Sequence, residues 1–461
     1  MQKKRAYSTI LLACGDAIAL YIALGITLLI RYQTHLAEPW EIHKLPFAVI
    51  FAVWLLIFFI AGLYQESVWN ADRMVKERIL RTITAAGITA VILFYLIPAF
   101  VITPKTNLLI HIALSVGLII GWRMLASYIL RNTSKTSVLF FGISEEVVSL
   151  ARTLMQNLHL GYRVVTLVET EGSNTISPPG ITILPFTNAI SDMLKKENVS
   201  LVVTSKDIHS NKTFVRMLYN ALPLGIRFID FPTFYETMTG KIPVSLISEV
   251  WFLENVSERE KRIFETIKRS YDIVFSFFIG ISALFFAPLI ALAIKLETRG
   301  PVLIHQRRIG KNGVPFTLYK FRSMIVSGPN GLAEEIGNAQ WAQEHDIRIT
   351  RVGSFLRKTR FDELPQLINI FNGEMSFIGP RPERPEFIEM LKSELPFYDI
   401  RHLVRPGLSG WAQINFPYGA SVEDAMQKLQ YDLYYIKNRS IALDLNIALK
   451  TIWVILSREG R

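Results

Sequence analysis

Cysteine is nearly missing from this chain of 461 residues, with Cys14 standing alone. One thiol excludes an internal disulfide framework and any multi-cysteine metal site, and it points to soluble parts that face a reducing compartment. Proline and glycine are modest at 21 and 26, which excludes a collagen-like or wholly disordered chain. Acidic side chains are outnumbered, 39 against 50 Lys and Arg, for a net charge of +11. Apolar residues are what the chain has in plenty: half of it is hydrophobic (50%) and the mean hydropathy is +0.30. A soluble globule of this length is more polar, so membrane-embedded segments are expected. At roughly 150 residues per domain there is room for about three units.

Four apolar stretches come early, Thr9–Ile30, Pro46–Leu63, Thr82–Ile102 and Leu108–Leu130. About 20 apolar residues cross a hydrocarbon core, so each is long enough to span it. Asp16, His111 and Arg123 interrupt the pattern; Asp16 is expected between helices and Arg123 to snorkel from a helix end. Lys3, Lys4, Arg5, Arg73, Lys76, Arg78, Arg81, Arg131 and Lys135 fall on one side of these spans, against Arg31, Lys44 and Lys105 on the other. The positive-inside rule then places both ends of the bundle in the cytoplasm. No A-x-A-like site follows the first run, so it reads as a retained span and not a cleaved signal.

From Ser137 short β-rich runs alternate with helix-length segments: Val138–Phe141, Val164–Val168, Leu201–Thr204 and Arg227–Ile229. That texture predicts a doubly wound parallel sheet, a Rossmann-like fold. Gly142 is followed by Ile143-Ser144-Glu145-Glu146 where a G-x-G-x-x-G turn would lie. Two glycines are lost and two carboxylates stand where a pyrophosphate would approach, which argues for a regulatory or dimerising role over dinucleotide binding.

Ile273–Ile294 is a fifth run without charge, flanked by Lys261, Arg262, Lys268 and Arg269 before it and by Lys295, Arg299, Arg307, Arg308 and Lys311 after it. A span would export the second cluster against the positive-inside bias. Pro288 removes a backbone donor and clashes with the preceding turn, so a helix-break-helix that re-enters the same leaflet is the alternative to a straight span.

Beyond this run, Val302–Ile309 and Val314–Phe321 are strand-like and joined by Gly310-Lys311-Asn312-Gly313, a hairpin signal. Lys320 and Arg322 follow; binding of anionic lipid is one reading of them. The densest constellation is RKTRFDELPQLINIFNGEMSFIGPRPER at 357–384. Asp362 precedes the apolar pattern Leu364, Leu367, Ile368, Phe371, with Pro365 suited to a first helical turn, so helix capping is one reading of it. The other is chemical: Asp362 and Glu363 at a helix start, with Arg357, Arg360, Arg381 and Arg384 near in sequence. Guanidinium forks bind phosphate, prolines on both sides of Arg381 stiffen its backbone, and Mg²⁺ would let a carboxylate approach a diphosphate.

Several of these pieces together resemble the bacterial polyprenyl-phosphate phosphoglycosyl transferases with a monotopic catalytic domain. The matching residues are Lys268-Arg269 with Asp272, KFRSM at 320–324, RFDELPQ at 360–366, GPRPERPEF at 379–387, RPGLSGWAQIN at 405–415, and DLYYIKNRS at 432–440 with Asp444. Where some members carry Ser-Pro at the re-entrant break, this chain has Ala287-Pro288. The four early spans and the degenerate middle domain look like the long form of the family, exemplified by glucose and galactose phosphotransferases.

The resemblance implies a membrane protein of three parts: a four-helix transmembrane bundle at 1–132, a degenerate Rossmann-like α/β domain at 133–255, and an α+β catalytic domain at 256–461 with a re-entrant helix at about 271–296, broken at Pro288. It implies transfer of a hexose 1-phosphate from a nucleotide diphosphate sugar, a UDP-sugar, to undecaprenyl phosphate with release of UMP, at the cytoplasmic side of the inner membrane. Asp362 would be the nucleophile, Glu363 a Mg²⁺ ligand sharing the ion with Asp362, and Arg381 and Arg405 phosphate-binding residues. Lys320, Arg322, Arg360 and Asp444 complete the expected substrate site. A homodimer is expected, and no nucleic-acid partner. Two rivals are weaker. An epimerase or dehydratase needs a glycine fingerprint and a Tyr-x-x-x-Lys pair, and neither occurs between 137 and 250; a flippase sits poorly with four spans lacking an internal repeat.

Overall fold

The computed structural model describes residues 2–33, 36–64, 73–97, 100, 105–132, 135–157, 160–169, 182–187, 190–204, 212–256, 261–325, 348–416, 419 and 421–457. Two compact units divide the chain, Met1–Thr237 and Met238–Arg461.

The first unit begins with four long helices, α1 (Gln2–Tyr32), α2 (Ala37–Ile60), α3 (Arg73–Leu96) and α4 (Lys105–Asn132). Each contains a stretch long and apolar enough to cross a membrane. The third ends at Leu96, and most of the expected run from there to Ile102 lies outside the described residues. On α1 the buried side chains Leu12, Asp16, Ala19, Leu20, Ala23 and Leu24 recur at helical spacing. Arg123 of α4 does not snorkel. It is buried, donates to Asp16 Oδ2 at 2.6 Å and to the carbonyl of Leu63 at 2.9 Å, and so pairs with the one acid of α1 while satisfying a backbone oxygen just past α2. A charge inside a bundle persists when it is paired in this way.

After α4 come β1 (Thr136–Phe141), α5 (Glu145–Gln156), β2 (Tyr162–Glu169), β3 (Ile183–Pro185), α6 (Ile190–Lys196), β4 (Leu201–Thr204), α7 (Lys212–Ala221), β5 (Arg227–Asp230) and α8 (Phe231–Thr239). The five strands form one parallel sheet in the order β3-β2-β1-β4-β5. Val138, Leu139, Phe140 and Phe141 are all buried, as a central strand covered on both faces requires. At the end of β1 Gly142 takes φ +91°, and Ser144 caps α5 by accepting from the Val147 N–H. Glu145 and Glu146 occupy the first turn of α5, so carboxylates lie where the sequence placed them.

The second unit holds α9 (Glu249–Asn255), α10 (Arg262–Glu297), β6 (Leu303–Ile309), β7 (Pro315–Phe321), α11 (Arg351–Thr359), α12 (Gln366–Asn372), β8 (Ser376–Ile378), α13 (Pro385–Glu394), β9 (Gly407–Ser409), α14 (Trp411–Asn415), α15 (Val422–Asn438) and α16 (Ile441–Ser457). Its main core gathers Ile242, Val244, Trp251 and Phe252 with Leu391, Tyr398, Leu429 and Leu433. The β6–β7 hairpin is antiparallel with Ile309 opposite Pro315, and Asn312 and Gly313 take the positive φ angles (+56° and +76°) that an Asn-Gly turn supplies.

Helix α10 is assigned over 36 residues without interruption, Pro288 included. The expected break is thus no gap in the helix: Pro288 withholds one N–H from Leu284 and the helix continues. At about 1.5 Å per residue it would be about 54 Å long if straight, well over a hydrocarbon core of about 30 Å. It touches the rest of its unit along its length. Arg269 donates to the carbonyls of Ile370 and Phe371, both at 2.6 Å, and Asp272 accepts from Ser376 Oγ and the Phe377 N–H, both at 3.1 Å. Further on, Ala283 packs beside Leu318 and Leu367, while Ile290 and Ile294 join Phe321 and Leu356. At the far end Glu297 accepts from the N–H groups of Arg351 and Val352.

Candidate active site

Helix α11 stops at Thr359 because Arg360 turns left-handed (φ +60°), its N–H returning to the carbonyls of Arg357 and Leu356. A 3₁₀ turn, Phe361–Glu363, follows before α12. The N-cap of α12 is Pro365, and Asp362 makes no capping bond. The capping reading of Asp362 is therefore corrected: the proline, with φ preset at −63°, starts the helix three residues later. With only seven residues, α12 also lends little dipole to an anion. The electrostatics must come from side chains.

Those side chains converge on one oxygen. Glu363 Oε1 accepts a hydrogen bond from Arg381 Nη2 at 3.1 Å, with Arg360 Nη1 at 3.6 Å and Lys320 Nζ at 3.8 Å. Asp362 and Glu363 are buried, whereas the Arg381 and Arg360 side chains keep 40% and 42% of their surface exposed. Asp362 Oδ1 is buried and has no hydrogen-bond partner among the described residues. Burial, and then the charge of Glu363, push Asp362 up from 3.8 to about 6, against the pull of Lys320, Arg360 and Arg357. For Glu363, burial works in the same upward direction but is overcome by Arg381, Lys320 and Arg360, which hold it at about 2. Lys320 is lowered to about 8, by burial first, with Glu363 opposing. The pair thus divides its labour: Glu363 is a fixed anion, and Asp362 a more basic carboxylate with an oxygen to spare.

The backbone that carries Arg381 is held from several sides. The carbonyls of Pro380, Arg381, Pro382 and Glu383 accept from the Gly407 N–H (2.8 Å), Arg401 Nη2 (2.9 Å), Arg308 Nη1 (3.2 Å) and the Ile309 N–H (3.1 Å). Gly379, Gly407 and Gly410 come together backbone to backbone where β8 pairs with β9, and a Cβ on any of them would collide with main-chain atoms. Asn369 ties α12 to the hairpin: its Nδ2 donates to the Thr317 carbonyl at 2.7 Å, and its Oδ1 accepts from the Tyr319 N–H at 3.2 Å, next to Lys320. Arg401 and Asn369 were not singled out from sequence, and Arg308 only as one of the cations flanking the fifth apolar run. The one available signal was for Asn369, a polar residue inside the apolar LINIF run.

Of the residues expected at the site, Asp362, Glu363, Lys320, Arg360 and Arg381 are brought together. Three others are engaged elsewhere. Arg322 is buried and donates to the carbonyls of Arg299 and Thr298, at 2.8 and 2.7 Å, closing the C-terminus of α10. Arg405 donates through Nε to the Gly373 carbonyl at 3.0 Å and lies 3.7 Å from Glu265. Asp444 accepts from Lys268 at 2.5 Å, from Tyr435 at 2.8 Å and from Tyr271. Pro288 lies within α10 as described.

Among the described residues no group of three or more His, Cys, Asp or Glu could hold a metal ion by itself. Mg²⁺, however, commonly takes one or two carboxylates and completes its octahedron with water and substrate phosphate. The unpartnered Asp362 Oδ1, with Glu363 beside it, fits a metal that arrives with a diphosphate, and not a permanent protein cage.

Known proteins resemble the chain in both of its halves. The bacterial sugar transferase family matches residues 263–458, and a family described as a CoA-binding domain matches residues 59–229. The UDP-N-acetylgalactosamine-undecaprenyl-phosphate N-acetylgalactosaminephosphotransferase of Aeromonas hydrophila is 44% identical over 228 residues, 49% of this chain and 51% of that protein. In that comparison the chain spans about half the length of its relative. The UDP-glucose:undecaprenyl-phosphate glucose-1-phosphate transferase of Klebsiella pneumoniae is 30% identical over 366 residues, 77% of this chain and 76% of the relative. The protein of the same name from Caulobacter vibrioides is 39% identical over 198 residues, 42% of this chain and 71% of its own. With a relative matched over most of both chains and residues 263–458 covered by the family, this chain belongs to the bacterial sugar transferase family.

Proposed function

We propose that the protein transfers a sugar 1-phosphate from a UDP-sugar to undecaprenyl phosphate, releasing UMP and leaving a lipid diphosphate-linked sugar. The observation that carries the reading is the asymmetry of the acidic pair: three cations gather on Glu363 Oε1 while Asp362 Oδ1 is buried without a partner among the described residues. A carboxylate oxygen of Asp362 attacks the sugar-bearing phosphorus. The bond from that phosphorus to the bridging oxygen breaks, and its electron pair leaves on UMP. The lipid phosphate then attacks the same phosphorus and expels the Asp362 carboxylate, so two easier steps replace one. With its pKa near 6, Asp362 is mostly ionised at neutral pH yet more basic than an ordinary aspartate. Arg360, Arg381 and Lys320 offset the negative charge that spreads over the phosphoryl oxygens. Mg²⁺, held by Asp362 and Glu363 with the donor's phosphates, would neutralise the diphosphate as the acid approaches it.

In this reading α10 enters and leaves the cytoplasmic leaflet. A straight span would carry one end away from the domain, whereas Arg269 and Asp272 near its start and Glu297 at its end contact the same unit. A cysteine introduced near Arg461 should be labelled only from the cytoplasmic side of the bacterial inner membrane, and periplasmic labelling would remove this topology. The parallel order β3-β2-β1-β4-β5 supports a degenerate Rossmann-like middle domain, to which we assign a dimerising or regulatory role; crosslinking of the full chain in membranes tests it. The reaction is tested with purified protein, Mg²⁺, undecaprenyl phosphate and a panel of UDP-sugars, by measuring UMP release and trapping labelled protein. Product formation with no label ever entering the polypeptide would exclude the aspartyl step.

A further inference from the structure

The cations of the site account for phosphate, but a polyprenyl acceptor also brings a hydrocarbon tail that must reach Asp362. Three aromatic rings offer a path. Phe286, on α10 two residues before Pro288, is 51% exposed, and its ring centroid lies 6.2 Å from that of Phe361. Phe361, immediately before Asp362, lies 6.5 Å from Phe355 of α11, itself 59% exposed. Phe361 is partly buried beside Ala287, Leu364 and the Ile290–Ile294–Phe321–Leu356 cluster, so it is anchored on one side and open on the other. The path is continuous with the apolar surface of α10, where Leu289 is also exposed. An exposed apolar strip that joins a membrane-embedded helix to a charged reaction centre suits an occupant with an apolar chain and an anionic head.

We propose that Phe286, Phe361 and Phe355 form an acceptor-tail subsite that seats the first isoprene units of the lipid phosphate and so aligns its phosphate with Asp362. The proposal rests on the transferase reading above. It assigns acceptor selection to aromatic side chains and leaves donor recognition to the cations. Because the rings touch only the acceptor, their loss acts on the second half-reaction and not the first.

The test therefore separates the halves. The full-length protein with Mg²⁺ is charged with a UDP-sugar labelled in its sugar phosphate, and steady-state rates are measured separately against undecaprenyl phosphate. Phe286→Ala and the milder Phe361→Leu should take up label like wild type but raise KM for undecaprenyl phosphate about tenfold, the scale of one lost apolar contact. Phe285→Ala serves as control. Phe285 is 76% exposed but turned about 100° around the helix from Phe286, so its loss weakens only general membrane contact. The control should keep the wild-type KM. An unchanged acceptor KM in both Phe286→Ala and Phe361→Leu, or an equal rise in Phe285→Ala, overturns the subsite. Absence of label in the wild type would overturn the aspartyl step instead, while the KM comparison still decides the subsite.

Discussion

Two buried carboxylates of the second unit, Asp444 and Glu363, each collect several donors, yet the surroundings of the two differ. Lys268 and Tyr435, which serve Asp444, are themselves buried, and both oxygens of Asp444 are engaged. This joins α10 to α16 and leaves nothing for a ligand to take. Around Glu363, Arg360 and Arg381 are open to water over about two-fifths of their side chains, and the adjacent Asp362 keeps a free oxygen. What separates the anchor from the proposed reaction centre is whether the cations can exchange their partner for an arriving phosphate. The number of charges does not distinguish them.

The largest effect that would break this distinction is at Asp362. Asp362→Asn should lower the rate of UMP release by about 10⁴-fold or more while leaving the thermal midpoint in detergent near wild type, as expected when a nucleophile alone is lost. Appreciable residual turnover would mean that the free oxygen is not the attacking one. The converse holds for Asp444→Asn, which leaves Lys268 buried beside a neutral amide and should destabilise the unit by about 3 to 5 kcal/mol, read as a lower midpoint. Protein that does fold should turn over nearly normally; a stable but inactive protein would return Asp444 to the reaction centre.

A smaller effect sharpens the role of the exposed cations. Arg381→Lys keeps the charge but loses the planar fork, and a fall of about tenfold in kcat/KM for the UDP-sugar is expected, with UMP release as the assay. The smallest effect concerns His402, which burial, and next Arg401, depress from 6.5 to about 4, with Asp399 opposing and Lys392 adding to the fall. A depressed base folds best when neutral. Its contribution is therefore fully present above 6.5 and is lost as pH falls through about 4. His402→Gln should flatten that part of the stability-versus-pH curve, and an unchanged slope would place the titration elsewhere.

Much of this was legible in the sequence because the signals are local. Spans follow from runs of apolar residues, the hairpin from Asn312-Gly313, and the parallel sheet from short β-rich runs separated by helix-length segments. Asp362, Glu363 and Arg360 are neighbours in sequence, and Pro380 and Pro382 mark out Arg381. Direction was not legible. Lys320 and Arg322 sit two residues apart, yet one turns to Glu363 and the other closes the end of α10, because the strand ends between them at Phe321. The bond from Arg123 to Asp16 spans 107 positions, and Arg401 and Arg308 hold the backbone of the Arg381 segment from 20 and 74 positions away. Nothing in the composition around either member announces such a partner.

The mutual contact of Gly379, Gly407 and Gly410 has a practical meaning for anyone seeking to alter the donor preference of this enzyme. A methyl group at any of these positions would wedge apart the two main-chain segments that carry Arg381 and Arg405. Libraries should therefore hold the three positions constant and diversify side chains elsewhere, since variants at this seam would be discarded for misfolding before their choice of donor was ever read.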